Sequence, residues 1–282
     1  MATLVQVLQH ALEQNDPLLP PETKRIILKE ALQGYVLDFL YNHAFYRRLN
    51  FYGGTCLHVI YDLNRLSEDL DFDNRSEVDL SRLADDFAAL FRRTYGYGDT
   101  VVKQQVGADG IVRFTLKFPV LRDLQLASRA EEALHLKVEV SHHRQAAVIQ
   151  QTPVYYHGRS FVPAHFSLET MMAGKMLACL ERSFQRGRDG AFVKGRDFYD
   201  LLWFMQRGVR PLAEKLAVDG GQPYDVQSAM RALGDKIAGI RASDLAPDLL
   251  PMFASRAFIE AWLESFHANF SRFATPYLTS PQ

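Results

Sequence analysis

Residues 50–73 read Asn50-Phe-Tyr-Gly53-Gly54-Thr55-Cys56-Leu-His58-Val-Ile-Tyr-Asp-Leu-Asn-Arg65-Leu-Ser67-Glu-Asp69-Leu70-Asp71-Phe72-Asp73. A Gly-Gly turn opens a short helix, and Arg65 and Ser67 follow. Three acids, Asp69, Asp71 and Asp73, then alternate with Leu70 and Phe72. Alternate residues of a strand point to opposite faces. The spacing therefore predicts a strand with a row of carboxylates on one side and a buried apolar face on the other. Carboxylates held side by side raise one another's pKa unless a cation neutralises them. Mg²⁺ takes carboxylate and phosphate oxygens, and a pair of such ions can activate an attacking oxygen and stabilise a leaving one. Asp69 and Asp71 are the leading metal candidates. The plain alternative is a solvated edge-strand face.

Working outward, a glycine pair ahead of a helix lets backbone N–H groups approach a phosphate. The alternative is a tight turn with Thr55 as N-cap. The spaced Gly-Lys-Ser/Thr of a P-loop is absent. Upstream, apolar periodicity predicts helices over 3–13 and over 22 to about 49. Downstream, Asp79 is a candidate N-cap for a helix reaching about Tyr95. Residues 100–106 and 111–118 are β-rich around a Gly107–Gly110 turn, which predicts a hairpin. Residues 134–141 alternate cleanly: Leu134, Leu136, Val138 and Val140 face one way, and His135, Lys137 and Glu139 the other. If this strand pairs beside 69–73, Glu139 completes a three-carboxylate cluster as metal ligand or base. The alternative is a surface glutamate paired with a neighbouring lysine.

One or two short strands are expected within 147–163. Helices are expected near 167–185, 195–207, 210–217, 225–238 and 255–272. The reading is an α/β domain over 1–162 with N-terminal helices, and an α-helical domain over 163–282.

In the helical half, Lys175, Cys179, Arg182 and Arg186 recur at i, i+4, i+7 and i+11, one stripe of a continuous helix. Such a stripe can clamp a triphosphate or a nucleic-acid backbone, or be a solvated cationic face. Asp197, near a helix start, either serves the helix dipole or orients Lys175 or a bound nucleotide. His58, His135, His142, His143 and His157 form no recognisable metal set. Trp203 and Trp262 are read as core.

The chain has 282 residues, 48% hydrophobic and 23% charged, with net charge −1. It is long enough for one large domain or two small ones. A near-neutral chain has no global demand for nucleic acid or an anionic membrane, so a nucleic-acid site must be a local patch. Two cysteines, Cys56 and Cys179, exclude a disulfide framework and fit a reducing cytoplasm. The first residues lack a signal-peptide n-region, and no apolar run is long enough for a membrane span.

Taken together, Gly53-Gly-Thr-Cys-Leu…Arg65-Leu-Ser67-Glu-Asp69-Leu-Asp71-Phe resembles motif I of the AbiEii/AbiGii toxin family, nucleotidyltransferase-like proteins of the DNA polymerase β superfamily related to the MenT toxins. Ala173-Gly-Lys175 to Arg182 and Lys194-Gly-Arg196-Asp197-Phe-Tyr-Asp200-Leu are similar to the family's downstream Lys and Arg-Asp motifs. Leu136-Lys-Val-Glu139-Val matches the strand where a third acid is expected. The resemblance spans roughly 22–210.

It implies an α+β fold: a mixed sheet with flanking helices, followed by a helical domain. It implies Mg²⁺- or Mn²⁺-dependent transfer of a nucleotide from an NTP. Asp69, Asp71 and Glu139 then bind metal. Gly53, Gly54, Thr55 and Ser67 hold phosphate, with Arg65, Arg182 and Arg196 adding charge. Lys175 contacts the triphosphate, and Asp197 belongs to the catalytic set. The implied acceptor is RNA, the tRNA 3′ end, and the implied partner an antitoxin encoded alongside. Two other readings stand beside it: transfer to a protein or small-molecule hydroxyl, and a non-catalytic nucleotide-binding protein that kept the fold.

Overall fold

The two alternating stretches, Leu70–Asp73 and Leu134–Ser141, run parallel and side by side, with Leu70 opposite Val138, Asp71 opposite Glu139 and Phe72 opposite Val140. The computed structural model describes residues 3–129, 131–142, 146–182, 185–187 and 190–279. It divides into two units, Met1–Arg144 with Gln150–His165, and Gln145–Ile149 with Phe166–Gln282.

The first unit carries helices α1 (Leu4–Glu13) and α2 (Pro21–Asn42), strand β1 (Asn50–Tyr52), helix α3 (Gly53–Tyr61), strand β2 (Leu70–Asp73) and helix α4 (Leu83–Tyr95). Strands β3 (Val101–Val106), β4 (Val112–Phe118), β5 (Leu134–Ser141), β6 (Ile149–Gln151), β7 (Val154–Tyr156), β8 (Arg159–Phe161) and β9 (Ala164–Phe166) follow. A seven-stranded sheet has the order β3-β4-β5-β2-β1-β9-β6. It is mixed: β2–β5 and β1–β9 are parallel, while β1–β2, β3–β4 and β4–β5 are antiparallel. Strands β7 and β8 form a separate hairpin.

The core side of the sheet is laid down by alternation. Leu70, Phe72, Phe114, Leu116, Leu136 and Val138 are fully buried, each contributing about 1.5–3 kcal/mol. Helix α4 covers part of this face through Phe87 and Phe91, whose rings meet Phe114 at 6.0 Å and Phe118 at 4.8 Å. Helix α2 packs against β5 and β8 and is buried on most of its circumference.

The second unit holds α5 (Leu168–Glu181), β10 (Gln185–Gly187), β11 (Gly190–Phe192), α6 (Gly195–Gln206), α7 (Ala213–Val218), α8 (Val226–Ala238), α9 (Ala242–Leu249) and α10 (Arg256–Thr279). Helix α6 is its centre and packs on α5, α9 and α10. A Cβ at Gly195 would lie 2.5 Å from the Leu245 carbonyl oxygen, so glycine permits the close approach of α6 to α9. Phe198 meets Phe266 at 6.3 Å and Tyr199 meets Trp262 at 5.0 Å. Trp203 is buried, whereas Trp262 is half-buried.

Several local expectations change. Helix α2 stops at Asn42, not Leu49, and Tyr46–Arg48 forms a 3-10 turn before β1. Asp79 does not cap α4; its carboxylate accepts from Ser81 four residues before that helix begins. Residues 147–163 carry three strands rather than one or two. The segment expected as a helix to 185 ends at Glu181, because Arg182 takes extended backbone angles and β10 follows. The second unit is therefore helical with a two-stranded ribbon, and it includes α9, hidden in the sequence by Pro247.

Candidate active site

The corner between β1 and α3 follows from glycine chemistry. Gly53 has φ +82°, a left-handed conformation costly for any residue with a Cβ. A Cβ there would also lie 2.3 Å from Asp71 Oδ2. At Gly54 a Cβ would lie 2.6 Å from Arg65 Nη2 and 3.2 Å from Ser67 Oγ. The backbone of 53–54 is thus pressed against a carboxylate, a guanidinium and a hydroxyl. Helix α3 starts at Gly53, and Tyr52, its N-cap, makes no side-chain cap bond. Its first N–H groups have no partner within the helix, and its positive end favours an anion.

Thr55 lies inside the first turn and is not the N-cap of the plain reading. Its Oγ1 is 2.8 Å from Ser67 Oγ and hydrogen-bonds the Asp69 carbonyl oxygen. Thr55, Arg65 and Ser67 are all buried. Helix α2 holds the Arg65–Ser67 segment from beneath. The Ser67 N–H donates to Glu30 Oε1 at 3.0 Å, and Gln33 Nε2 donates to the Ser67 carbonyl at 2.9 Å. His58 Nδ1 is 2.8 Å from the Leu63 carbonyl, which places its proton on Nδ1, and its Nε2 faces Glu30 at 3.4 Å. Burial pushes the Glu30 carboxyl above its ordinary value, against the opposing pull of His58, the Ser67 N–H and Arg65. Glu30 and Gln33 are absent from the sequence reading. Their signal was a polar pair at i, i+3 within the largely apolar stretch 26–37 of α2, which Lys29 also interrupts.

Asp69 sits immediately before β2, and Asp71 lies on the same sheet face as Tyr52 and Glu139, its neighbours on either side. Glu139 is thus adjacent to Asp71, but its carboxylate turns to the next strand and accepts from Arg113 Nε at 3.2 Å. Among the described residues no three Asp, Glu, His or Cys side chains form a group able to hold a metal. The expected three-carboxylate cluster is therefore not assembled, because a cross-strand arginine takes the third acid. The lysine partner of the plain reading is also replaced, by Arg113. Asp73 is fully buried and bonded to Asn50 and Arg75. Two carboxylates still suit Mg²⁺, which takes one or two plus substrate phosphates. The missing Cβ at Gly53 leaves Asp71 Oδ2 the space a side chain would fill.

In the second unit, Lys175 on α5 reaches two acids on α6: Asp197 Oδ1 at 2.8 Å and Asp200 Oδ2 at 2.7 Å. Arg182, the C-cap of α5, pairs with the other oxygen of Asp197. Asp197 and Asp200 are buried. Burial pushes Asp197 up, but Lys175, Arg182 and Lys194 outweigh it and hold the carboxyl down at about 2. Burial lowers the Lys194 ammonium below its ordinary value. Asp200 and Lys194 stand outside the predicted site set; the i, i+3 spacing of Asp197 and Asp200 was the available signal. Arg196 points elsewhere, its backbone N–H and guanidinium both directed at Asp248. The predicted basic stripe is broken as well: Cys179 is buried and Arg186 lies in β10, beyond the helix end.

Residues 37–281 match the family described as nucleotidyl transferase AbiEii toxin, type IV TA system. The chain belongs to the AbiEii nucleotidyl transferase toxin family. AbiEii proteins are nucleotidyltransferase toxins of type IV toxin–antitoxin systems, so membership implies enzymatic activity and a cognate antitoxin. In this AbiEii chain the matched span takes in Gly53–Asp71 and the Lys175–Asp200 cluster, while α1 and most of α2, including Glu30 and Gln33, precede it. Among solved structures, the chain is similar to a crystal structure described as a proposed nucleotidyltransferase from H. pylori, at 18% identity and TM-score 0.47, over 88% of this chain and 92% of that one. No curated protein matches the chain. Among the described residues no helix is long and apolar enough to cross a membrane.

Proposed function

We propose that this AbiEii protein transfers a nucleotidyl group from an NTP to RNA, the tRNA 3′ end, in the cytoplasm. The observation that carries the reading is the backbone of Gly53–Gly54 held against Asp71, Arg65 and Ser67. In the reaction, an acceptor hydroxyl gives up its proton to solvent as its oxygen forms a new P–O bond to the α-phosphorus of the NTP, the P–O bond that bridges the α- and β-phosphates breaks, and pyrophosphate leaves with the electron pair. The N–H groups at the start of α3 and the Ser67 hydroxyl would take phosphate oxygens, and Arg65 would offset their charge. Within the second unit, Asp197 and Asp200 would hold the Lys175 ammonium in place for an anion. Asp69 and Asp71 would hold Mg²⁺ or Mn²⁺. When bound, such an ion supplies charge neutralisation at the phosphates and activation of the attacking oxygen.

The choice of RNA is supported by the resemblance to MenT-type toxins and by the toxin family. The test is incubation with each labelled NTP, Mg²⁺, and either total tRNA or lysate protein. Label in tRNA supports the reading. Label confined to protein or to a small molecule replaces the acceptor, and no label with any acceptor or metal refutes transferase activity.

A further inference from the structure

A second recess lies at the other end of β1. It is a groove of about 1000 Å³ at Asn50, three residues from Gly53, and it lies wholly within the first unit. Its lining includes Arg47, Arg48, Asn42, Gln151, Tyr155 and Ser160, over an apolar floor that includes Phe161. Among the described residues no aspartate or glutamate lines it. Arg47 and Arg48 are exposed on the 3-10 turn, and neither makes an ion pair among the described residues. Tyr155, at the rim on the β7–β8 hairpin, is 78% exposed.

The chain's net charge is −1, so two guanidiniums with no acid lining the groove beside them make a local positive field. Guanidinium groups bind phosphate bidentately. A solvent-facing aromatic ring is a stacking platform for a base, and the side-chain amide of Gln151 can both donate to and accept from a base edge. Single-stranded RNA presents phosphates and unstacked bases together. An acidic peptide would satisfy the charges but offer Tyr155 no regular flat partner.

We propose that this groove is a binding site for single-stranded RNA, seating a stretch of the acceptor strand away from the Gly53–Asp71 corner. The inference deepens the RNA-acceptor reading and rests on it for the choice of RNA over another polyanion. The site is tested by fluorescence anisotropy with a labelled single-stranded RNA oligonucleotide, using the full chain, Arg47→Gln/Arg48→Gln and Tyr155→Ala. The double variant should bind at least ~10-fold more weakly, and its log K against log salt slope should be shallower by about 1.4, two phosphate contacts at about 0.7 each. Tyr155→Ala should lose roughly tenfold through stacking, without a change of salt slope. Binding of a fluorescent NTP analogue should be unchanged in both, and all three side chains are exposed, so circular dichroism should be superimposable. Absence of RNA binding by the wild-type chain, equal affinity in the variants, or displacement of the RNA by poly-glutamate as readily as by unlabelled RNA would each overturn the proposal. RNA binding that depends on Arg47, Arg48 and Tyr155, with label never entering RNA, would keep the groove and remove the RNA-acceptor reading instead.

Discussion

At the residue scale, two buried carboxylates, one in each unit, respond to pH in different senses. Asp197 is held down at about 2 against an ordinary 3.8, so the unfolded chain takes up its proton first. Its contribution, about 2 kcal/mol, is complete above the ordinary value and is lost as pH falls toward 2. Urea melts between neutral pH and pH 2 should show a shallower acid decline for Asp197→Asn than for wild type. Glu30 is raised by burial, so the folded state binds its proton more readily, and ionisation costs stability as pH rises above the ordinary 4.5. Gly53 admits no side chain: its φ is +82°, and a Cβ would sit only 2.3 Å from Asp71 Oδ2. Gly53→Ala should therefore lower stability by about 1–2 kcal/mol and shift the position of Asp71. A crystal structure of the variant with Asp71 unmoved would refute the second part. Asp71→Ala should reduce nucleotidyl transfer at least ~10²-fold with an unchanged melting temperature, and retained transfer would remove Asp71 from the metal assignment.

At the element scale, the loop that bears Ser67 is shaped by a helix that shares no motif with it. Helix α2 offers Glu30 to the Ser67 N–H and Gln33 to its carbonyl, both within a helix otherwise packed with Ile26, Ile27, Leu28 and Leu32. Glu30→Leu would leave a buried N–H without its acceptor, at about 1–3 kcal/mol, and should raise KM for the NTP more than it lowers kcat. Glu30→Gln keeps an acceptor oxygen and removes the charge. It should restore KM, and its stability should gain on wild type as pH rises above the ordinary 4.5; steady-state kinetics and thermal melts across that range check both. A KM unchanged in Glu30→Leu would show that the loop holds its shape without α2. Element ends also decided what the sequence could not: α5 stops at Glu181, so Arg186 passes from a helix stripe to a strand.

At the scale of the whole molecule, toxin membership predicts that expression of the wild-type chain arrests growth of a bacterial host and that Asp71→Ala relieves the arrest, measured by colony counts. Equal killing by both would separate toxicity from the transferase site. Much of the architecture was readable beforehand. Period-two alternation at 69–73 and 134–141 and the glycine pair at 53–54 are local signals, imposed by pleat geometry and by the φ that only glycine adopts cheaply, and they carried the family resemblance as well. What sequence alone determined is therefore the individual strands, the helical continuation and the residue types at the Gly53–Asp71 corner, and, through the family resemblance, the mixed sheet. Tertiary structure decided the partners. Glu139 does lie beside Asp71, yet Arg113, 26 positions away, takes its carboxylate. Lys175 gains Asp200 as well as Asp197, and Arg196 goes to Asp248. Strand register and helix packing choose which charges meet: register alone sets Glu139 beside the half-exposed Arg113, whereas the buried Asp197 and Asp200 must pair with the cation that helix packing brings within reach.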